Sequence, residues 1–155
     1  DPSSGDVLSL ASSPSFDQNA FVSGLSPRKW NELITNPFRP MENKAIQAEY
    51  PPASTYKIIT AAAGLEEGVI DENTSFFCPG HFRFGDRNFR CWKRGGHGHM
   101  NVGDAMTQSC DVFFYQVGLR LGIDRLAWYA KAFGLGQLSE IDLNHESEGL
   151  IPTAH

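Results

Sequence analysis

Two groups of residues in this chain have the types and spacing to do chemistry. The first is Ser54 and Lys57, inside Tyr50-Pro51-Pro52-Ala53-Ser54-Thr55-Tyr56-Lys57. Residues three apart on a helix share a face, so a hydroxyl and an amine would stand side by side. A serine hydroxyl is a weak nucleophile until something takes its proton. A lysine can take that proton only when neutral, and burial and the positive end of a helix dipole both disfavour its charge. A helix start also offers backbone N–H groups, Ser54's own among them, to a developing oxyanion. The pattern suits acyl transfer, with Ser54 as nucleophile and Lys57 as base. Its plain alternative is a helix-capping serine followed by a surface lysine.

The second group is Cys78, Cys91, His97 and Cys110, spaced C-x12-C-x5-H-x12-C. Four such ligands are the number that tetrahedral zinc takes, although the tight knuckle with two residues between cysteines is missing. An odd cysteine count leaves a thiol exposed to oxidation unless it is bound. The segment 78–92 also has little apolar content of its own and would gain from a staple. The alternatives are one disulfide plus a free thiol, or three buried thiols. With four protein ligands no position is left for water, so a zinc ion here would be structural. His99 competes with His97 for the fourth place, and His81 stands behind both.

These residues need elements to hold them. Pro51 and Pro52 keep the approach to Ser54 extended. A helix follows over 55–65, stopped by Gly68; its small residues Ala61, Ala62, Ala63 and Gly64 admit close neighbours, which predicts a buried, central helix. Upstream, 6–12 suits an antiparallel strand and 12–24 a loop. Ser26-Pro27 opens a helix whose Trp30, Leu33 and Ile34 share a face and which ends at Asn36-Pro37. One helical turn is expected around 43–48. Downstream, 71–74 is a turn, and Phe82-Arg83-Phe84 and Phe89-Arg90-Cys91-Trp92 form a hairpin around a four-residue loop, Gly85-Asp86-Arg87-Asn88. Residues 95–99 read as a glycine- and histidine-rich loop. Asn101 caps a helix over 102–108. Val112, Tyr115 and Leu119, with Phe114, Val117 and Leu121, mark the next, which ends at Gly122. Asp124 is expected to cap a last helix that buries Leu126, Trp128, Tyr129 and Phe133 and ends at Gly134. A short strand is expected at 141–143. The class is α+β, helix-rich with a minority of strand.

Composition narrows the partners. The 155 residues carry a net charge of -5, with 41% hydrophobic and 20% charged residues, which is ordinary globular chemistry. The acidic balance argues against nucleic acid, which needs a basic surface. The one basic cluster, Arg83, Arg87, Arg90, Lys93 and Arg94, reads as the solvated face of the hairpin. No apolar run approaches the ~20 residues of a membrane span. Asp1-Pro2-Ser3-Ser4-Gly5 and Gly149-Leu150-Ile151-Pro152-Thr153 both read as mid-domain sequence. The expectation is one partial domain over 1–155, truncated at both ends, with targeting and anchoring information outside it.

The motifs in order carry a family resemblance. Tyr50-Pro51-Pro52-Ala53-Ser54-Thr55-Tyr56-Lys57 resembles the active-site serine segment of penicillin-binding proteins, where the residue before the serine is more often glycine. Ser109-Cys110-Asp111-Val112-Phe113-Phe114-Tyr115 resembles their second motif, serine-x-asparagine or serine-x-aspartate, with its aromatic helix. The opening Asp1-Pro2-Ser3-Ser4-Gly5-Asp6-Val7-Leu8-Ser9-Leu10 is similar to the first hairpin of their transpeptidase domain. Trp92-Lys93 and Gly96-His97-Gly98-His99-Met100-Asn101-Val102 narrow the resemblance to class B enzymes of the cell-elongation type, penicillin-binding protein 2. The serine–lysine pattern is a known signature of this family.

The resemblance implies a partial serine-transpeptidase fold: its helical part, an N-terminal strand and an inserted hairpin, without the late strands of the sheet. It implies Ser54 as the acylated nucleophile and Lys57 as its base. Ser109 would relay a proton at the leaving group, and Asp111 would order the lysine and the substrate amide. The implied reaction is D,D-transpeptidation of the D-Ala-D-Ala end of a peptidoglycan stem peptide, with β-lactams as covalent inhibitors and no cofactor needed for catalysis. The implied setting is the periplasmic face of the bacterial inner membrane, beside the glycosyltransferase of the elongation complex. Relatives of this type are similar in having a metal site near the cysteines, with carboxylates in some positions. The family's third motif, lysine-threonine-glycine or a close variant, does not occur in these residues, so the chain alone is expected to be inactive. A serine β-lactamase or β-lactam sensor shares the serine–lysine arrangement, but a lactamase must deacylate quickly and no carboxylate is obviously placed for that. A non-enzymatic, zinc-stapled interaction module is the third reading.

Overall fold

The computed structural model describes residues 1–154. They divide into two compact units, Asp1–Tyr50 with Leu138–Glu148, and Pro51–Gln137 with the residues from Gly149 onward. In the first unit, α1 (Asn19–Val22) lies inside the stretch expected to be loop. Helix α2 (Pro27–Ile34) starts as its sequence predicts: Ser26 accepts a hydrogen bond from the Lys29 N–H, and Pro27 takes the first helical position. One turn forms at 43–47, where the Ile46 and Gln47 N–H groups both donate to the Asn43 carbonyl. The strands expected at 6–12 and 141–143 are not formed. A strand exists only with a hydrogen-bonded neighbour, which apolar character in one short segment cannot supply.

The second unit holds both groups of chemically capable residues. A short 3₁₀ turn, Ala53–Tyr56, leads into α3 (Lys57–Glu66), which buries Ile59, Thr60, Ala61, Ala63 and Gly64. The small-residue stripe does what its composition predicts. A Cβ on Gly64 would lie 2.8 Å from Val117 Cγ1 in α5 (Asp111–Leu121). Helix α5 buries Val112, Phe113, Phe114, Val117 and Leu121. Phe113, fully buried, meets the Phe76 ring at 5.1 Å and the Phe114 ring at 5.3 Å. Burying one such ring stabilises by roughly 2–3 kcal/mol. Helix α4 (Val102–Thr107) precedes α5 in the chain and is capped by the Asn101 side chain through the Asp104 N–H. After α5, Gly122 alone separates it from α6 (Ile123–Ala132), so Asp124 falls in the first turn of α6 and is not its cap.

Four short strands complete the unit. Strands β1 (Phe76–Cys78) and β4 (Gly98–Met100) pair antiparallel, with Phe76 opposite Met100 and Cys78 opposite Gly98. Strands β2 (His81–Phe84) and β3 (Arg87–Arg90) form the expected hairpin. Its loop is two residues, Gly85-Asp86, and not four. Gly85 has φ 59°, the left-handed first position that a tight hairpin turn of this twist requires. The register puts Phe82 opposite Phe89, with Phe84 on the same face; His81, Arg83, Asn88 and Arg90 take the other. The basic residues of the hairpin are exposed, as composition suggests.

Candidate active site

Ser54 sits in the second position of the 3₁₀ turn, directly after Ala53, whose φ of 51° is left-handed. That backbone state favours glycine. Lys57 opens α3, one turn on. Its partners come from residues far along the chain. The Nζ donates to the Ser109 carbonyl at 2.8 Å, to Ser109 Oγ at 3.0 Å and to Asp111 Oδ1 at 2.6 Å. Those are all three donors an ammonium has. Ser109 Oγ in turn donates to Ser54 Oγ at 3.0 Å. No direct hydrogen bond joins Ser54 to Lys57 among the described residues; Ser109 stands between them.

Ser109 reaches that position through a left-handed backbone, φ 51°, in the link between α4 and α5. Its N–H donates to the Met106 carbonyl, and the next N–H, of Cys110, donates to Ala105. Asp111, the first residue of α5, is reached from two sides. Lys57 meets Oδ1, and the Trp92 backbone N–H donates to Oδ2 at 3.0 Å. Lys57 and Asp111 are 12% and 22% exposed, so the pair is mostly withdrawn from water. Sequence reasoning placed all four residues at the site. Trp92, expected only as a hairpin residue and as part of the family resemblance, also reaches the site, and a backbone contact to Asp111 carries no sequence signal. Beside Lys57 runs a groove of about 560 Å³ lined by apolar side chains that include Phe82, Phe89, Phe114 and Tyr115.

The structure gathers the second group as well. One ligand atom each from Cys78, Cys91, His97 and Cys110 fall within 4.8 Å of one another. His97 Nδ1 is 3.7 Å from Cys78 Sγ and 3.5 Å from Cys91 Sγ. The three cysteines are free thiols and buried. Among the described residues, His97 Nε2 is buried without a hydrogen-bond partner. His99 lies against Phe77 and His81 on the hairpin, so neither joins the cluster. Burial pushes the Cys110 thiol up to about 12, assisted by the two other cysteines. Burial works the same way on Cys78, but N–H groups of His97 and Gly80 directed at its sulfur bring it below the ordinary thiol value. Burial also holds His97 below its usual value, favouring the neutral ring. Cys110 lies between Ser109 and Asp111, and Cys91 directly before Trp92, so the cluster and the Ser54 site share backbone.

A family model described as the penicillin binding protein transpeptidase domain matches residues 1–155. The chain belongs to the penicillin-binding protein transpeptidase family. Over 155 residues it is 44% identical to the peptidoglycan D,D-transpeptidase MrdA of Escherichia coli, a match covering 99% of this chain and 24% of that relative. The chain therefore spans about a quarter of the relative's length. Among solved structures it is similar to penicillin-binding protein 2 of Pseudomonas aeruginosa in complex with WCK 5153, at a TM-score of 0.85 and 40% identity, covering 98% of this chain and 35% of that one. It is also similar to penicillin-binding protein A of Mycobacterium tuberculosis, solved as a penicillin G acyl-enzyme complex, at a TM-score of 0.73 and 34% identity, covering 86% of this chain and 32% of that one. The helices and partial sheet of the second unit accordingly belong to a transpeptidase fold of the penicillin-binding type.

Proposed function

We propose that the protein containing this chain is a peptidoglycan D,D-transpeptidase of cell-wall elongation that works through an acyl-serine. The observation that carries this reading is the bridge from Ser54 Oγ through Ser109 Oγ to Lys57 Nζ, with Lys57 anchored on Asp111. Ser54 Oγ attacks the carbonyl carbon of the penultimate D-alanine. Its proton passes through Ser109 to Lys57, which must be neutral at that moment. The C–N bond then breaks, and the departing D-alanine amine takes a proton back by the same route. An amine on a neighbouring strand next attacks the acyl-serine, forms the cross-link and frees Ser54. Asp111 holds Lys57 in reach of the relay and orders the substrate amide. Backbone N–H groups at the helix start, Ser54's included, face the oxyanion.

A β-lactam acylates the same serine on this reading. The relative solved as a penicillin G acyl-enzyme supports that chemistry for the family. Mass spectrometry of the full-length protein with penicillin tests it: the wild type gains the mass of one penicillin and Ser54→Ala gains none. These 155 residues contain no third motif, and we infer that by themselves they are not acylated. Labelling of the isolated chain by a fluorescent penicillin would refute that inference. Among the described residues no helix is long and apolar enough to cross a membrane. The periplasmic setting, an anchor elsewhere in the protein and a glycosyltransferase partner rest on the family resemblance.

We further infer that Cys78, Cys91, His97 and Cys110 hold a structural zinc ion. Ligands at about 2.3 Å for sulfur and about 2.0–2.1 Å for nitrogen, arranged tetrahedrally, stand about 3.5 Å apart. The sulfur–Nδ1 distances of 3.5 and 3.7 Å fit that spacing. Zinc bound there would cross-link the hairpin exit to the loop that carries Ser109 and would take no part in the reaction. Elemental analysis is expected to find one zinc per chain, and Cys91→Ser to lose it. A Cys78–Cys91 disulfide in the purified protein would exclude the assignment.

A further inference from the structure

We propose that Trp92 is a positioning residue for acylation, acting by clamping both ends of the loop that carries Ser109. The proposal rests on the acyl-serine reading given above. Ser109 has to reach two partners at once, Ser54 Oγ and Lys57 Nζ, from a left-handed backbone that a residue with a side chain adopts only at a cost. Such a conformation persists only when its surroundings over-determine it. Trp92 supplies a hydrogen bond on each side. Its indole Nε1–H donates to the Gln108 carbonyl at 3.0 Å, immediately before Ser109. Its backbone N–H donates to Asp111 Oδ2 at 3.0 Å, two residues after Ser109.

Burial does not explain the position of this side chain, because Trp92 is 63% exposed. What fixes it is its base. Cys91 is buried, and its N–H donates to the Gly80 carbonyl at 2.8 Å. The indole also meets the His97 ring edge-on, with centroids 5.2 Å apart. The hairpin exit therefore presents a fixed pair of donors to the loop across from it. With the indole donor removed, Gln108 and Ser109 gain freedom, and the Ser54–Ser109–Lys57 relay is aligned in a smaller fraction of molecules. Noncovalent binding of the substrate does not require that alignment, so the effect falls on the acylation step.

The test uses the full-length protein and rapid-mixing kinetics with penicillin G, which separate the noncovalent dissociation constant from the acylation rate constant. Two changes are compared: Trp92→Phe, and incorporation of a benzothiophene isostere that replaces the indole N–H of Trp92 with sulfur at nearly constant shape. The acylation rate constant is expected to fall about tenfold, equivalent to about 1.4 kcal/mol. The dissociation constant and the thermal midpoint are expected to stay at wild-type values. An isostere that acylates at the wild-type rate overturns the proposal, whatever Trp92→Phe does. So does a fall in rate matched by equal losses in affinity and thermal midpoint, which marks a merely structural role. Wild-type protein that takes up no penicillin overturns the acyl-serine reading itself, and this proposal with it.

Discussion

At the scale of single residues, two identities make sense only beside their neighbours. Asp111 takes a donor on each carboxylate oxygen, Lys57 Nζ on one and the Trp92 N–H on the other. An asparagine has one oxygen, so its NH₂ group would face a donor whichever way it turned. Asp111→Asn is therefore expected to cost about 1–2 kcal/mol in urea unfolding. Asp111→Ala leaves Lys57 withdrawn from water with no counter-charge and is expected to cost about 3 kcal/mol or more. If the two substitutions are equally costly, the two-sided account of Asp111 is wrong. Ala53 is the second case. Its left-handed backbone is one that favours glycine, and alanine carries the smallest side chain that has a Cβ. Ala53→Gly is expected to leave stability nearly unchanged, since relief of strain offsets added chain entropy. Ala53→Val, with a branched Cβ, is expected to lose about 1–2 kcal/mol in the same measurement.

At the scale of elements, the thiol cluster depends on a backbone crossing as well as on the cysteines. Gly80 and Gly96 both have positive φ and approach each other's strand ends closely. A Cβ on Gly96 would lie 2.1 Å from the Cys78 carbonyl oxygen, and one on Gly80 would lie 2.2 Å from that of Arg94. Neither obstacle is a side chain that could turn away. Gly96→Ala is expected to destabilise the full-length protein by more than about 2 kcal/mol and, on the proposed zinc assignment, to lower its zinc content, as read by thermal unfolding and elemental analysis. Zinc content equal to wild type in that variant would show that the crossing does not build the site. The hairpin β2–β3 shows the same dependence on surroundings, since an isolated two-stranded ribbon is marginal in water. Its Phe82 and Phe89 rings meet Tyr115 of α5 at 6.3 and 5.8 Å, which seats one face and leaves the cationic face in solvent.

At the scale of the molecule, the second unit leaves Phe84, Trp92, Leu119, Trp128 and Phe133 more than half exposed, and an open apolar groove runs beside Lys57. Large apolar side chains exposed in this number favour association with other apolar surfaces. The isolated 155-residue chain is expected to bind a hydrophobic fluorescent dye strongly, and the full-length protein weakly; equal binding by both would contradict this. Part of the local structure was legible in the sequence; the buried face of α6 was not, since Trp128 and Phe133, expected inside, are exposed and Ala127 and Ala130 are buried instead. The start of α2 at Ser26-Pro27, the cap at Asn101, the stripe of α5 and the one-turn spacing of Ser54 and Lys57 all follow from periodicity and capping, which act over a few residues. Ser54 and Lys57 could be named from their spacing, and Ser109 and Asp111 from the family resemblance. What only the tertiary structure decided was how they meet. The pairing of β1 with β4, the left-handed Ser109 that puts its hydroxyl between Ser54 and Lys57, and the two donors Trp92 offers across the loop arise from contacts between separated segments. Their energy lies in burial and hydrogen bonds made after the chain has closed loops as long as the 55 residues from Ser54 to Ser109, and no local pattern encodes which segments those closures bring together.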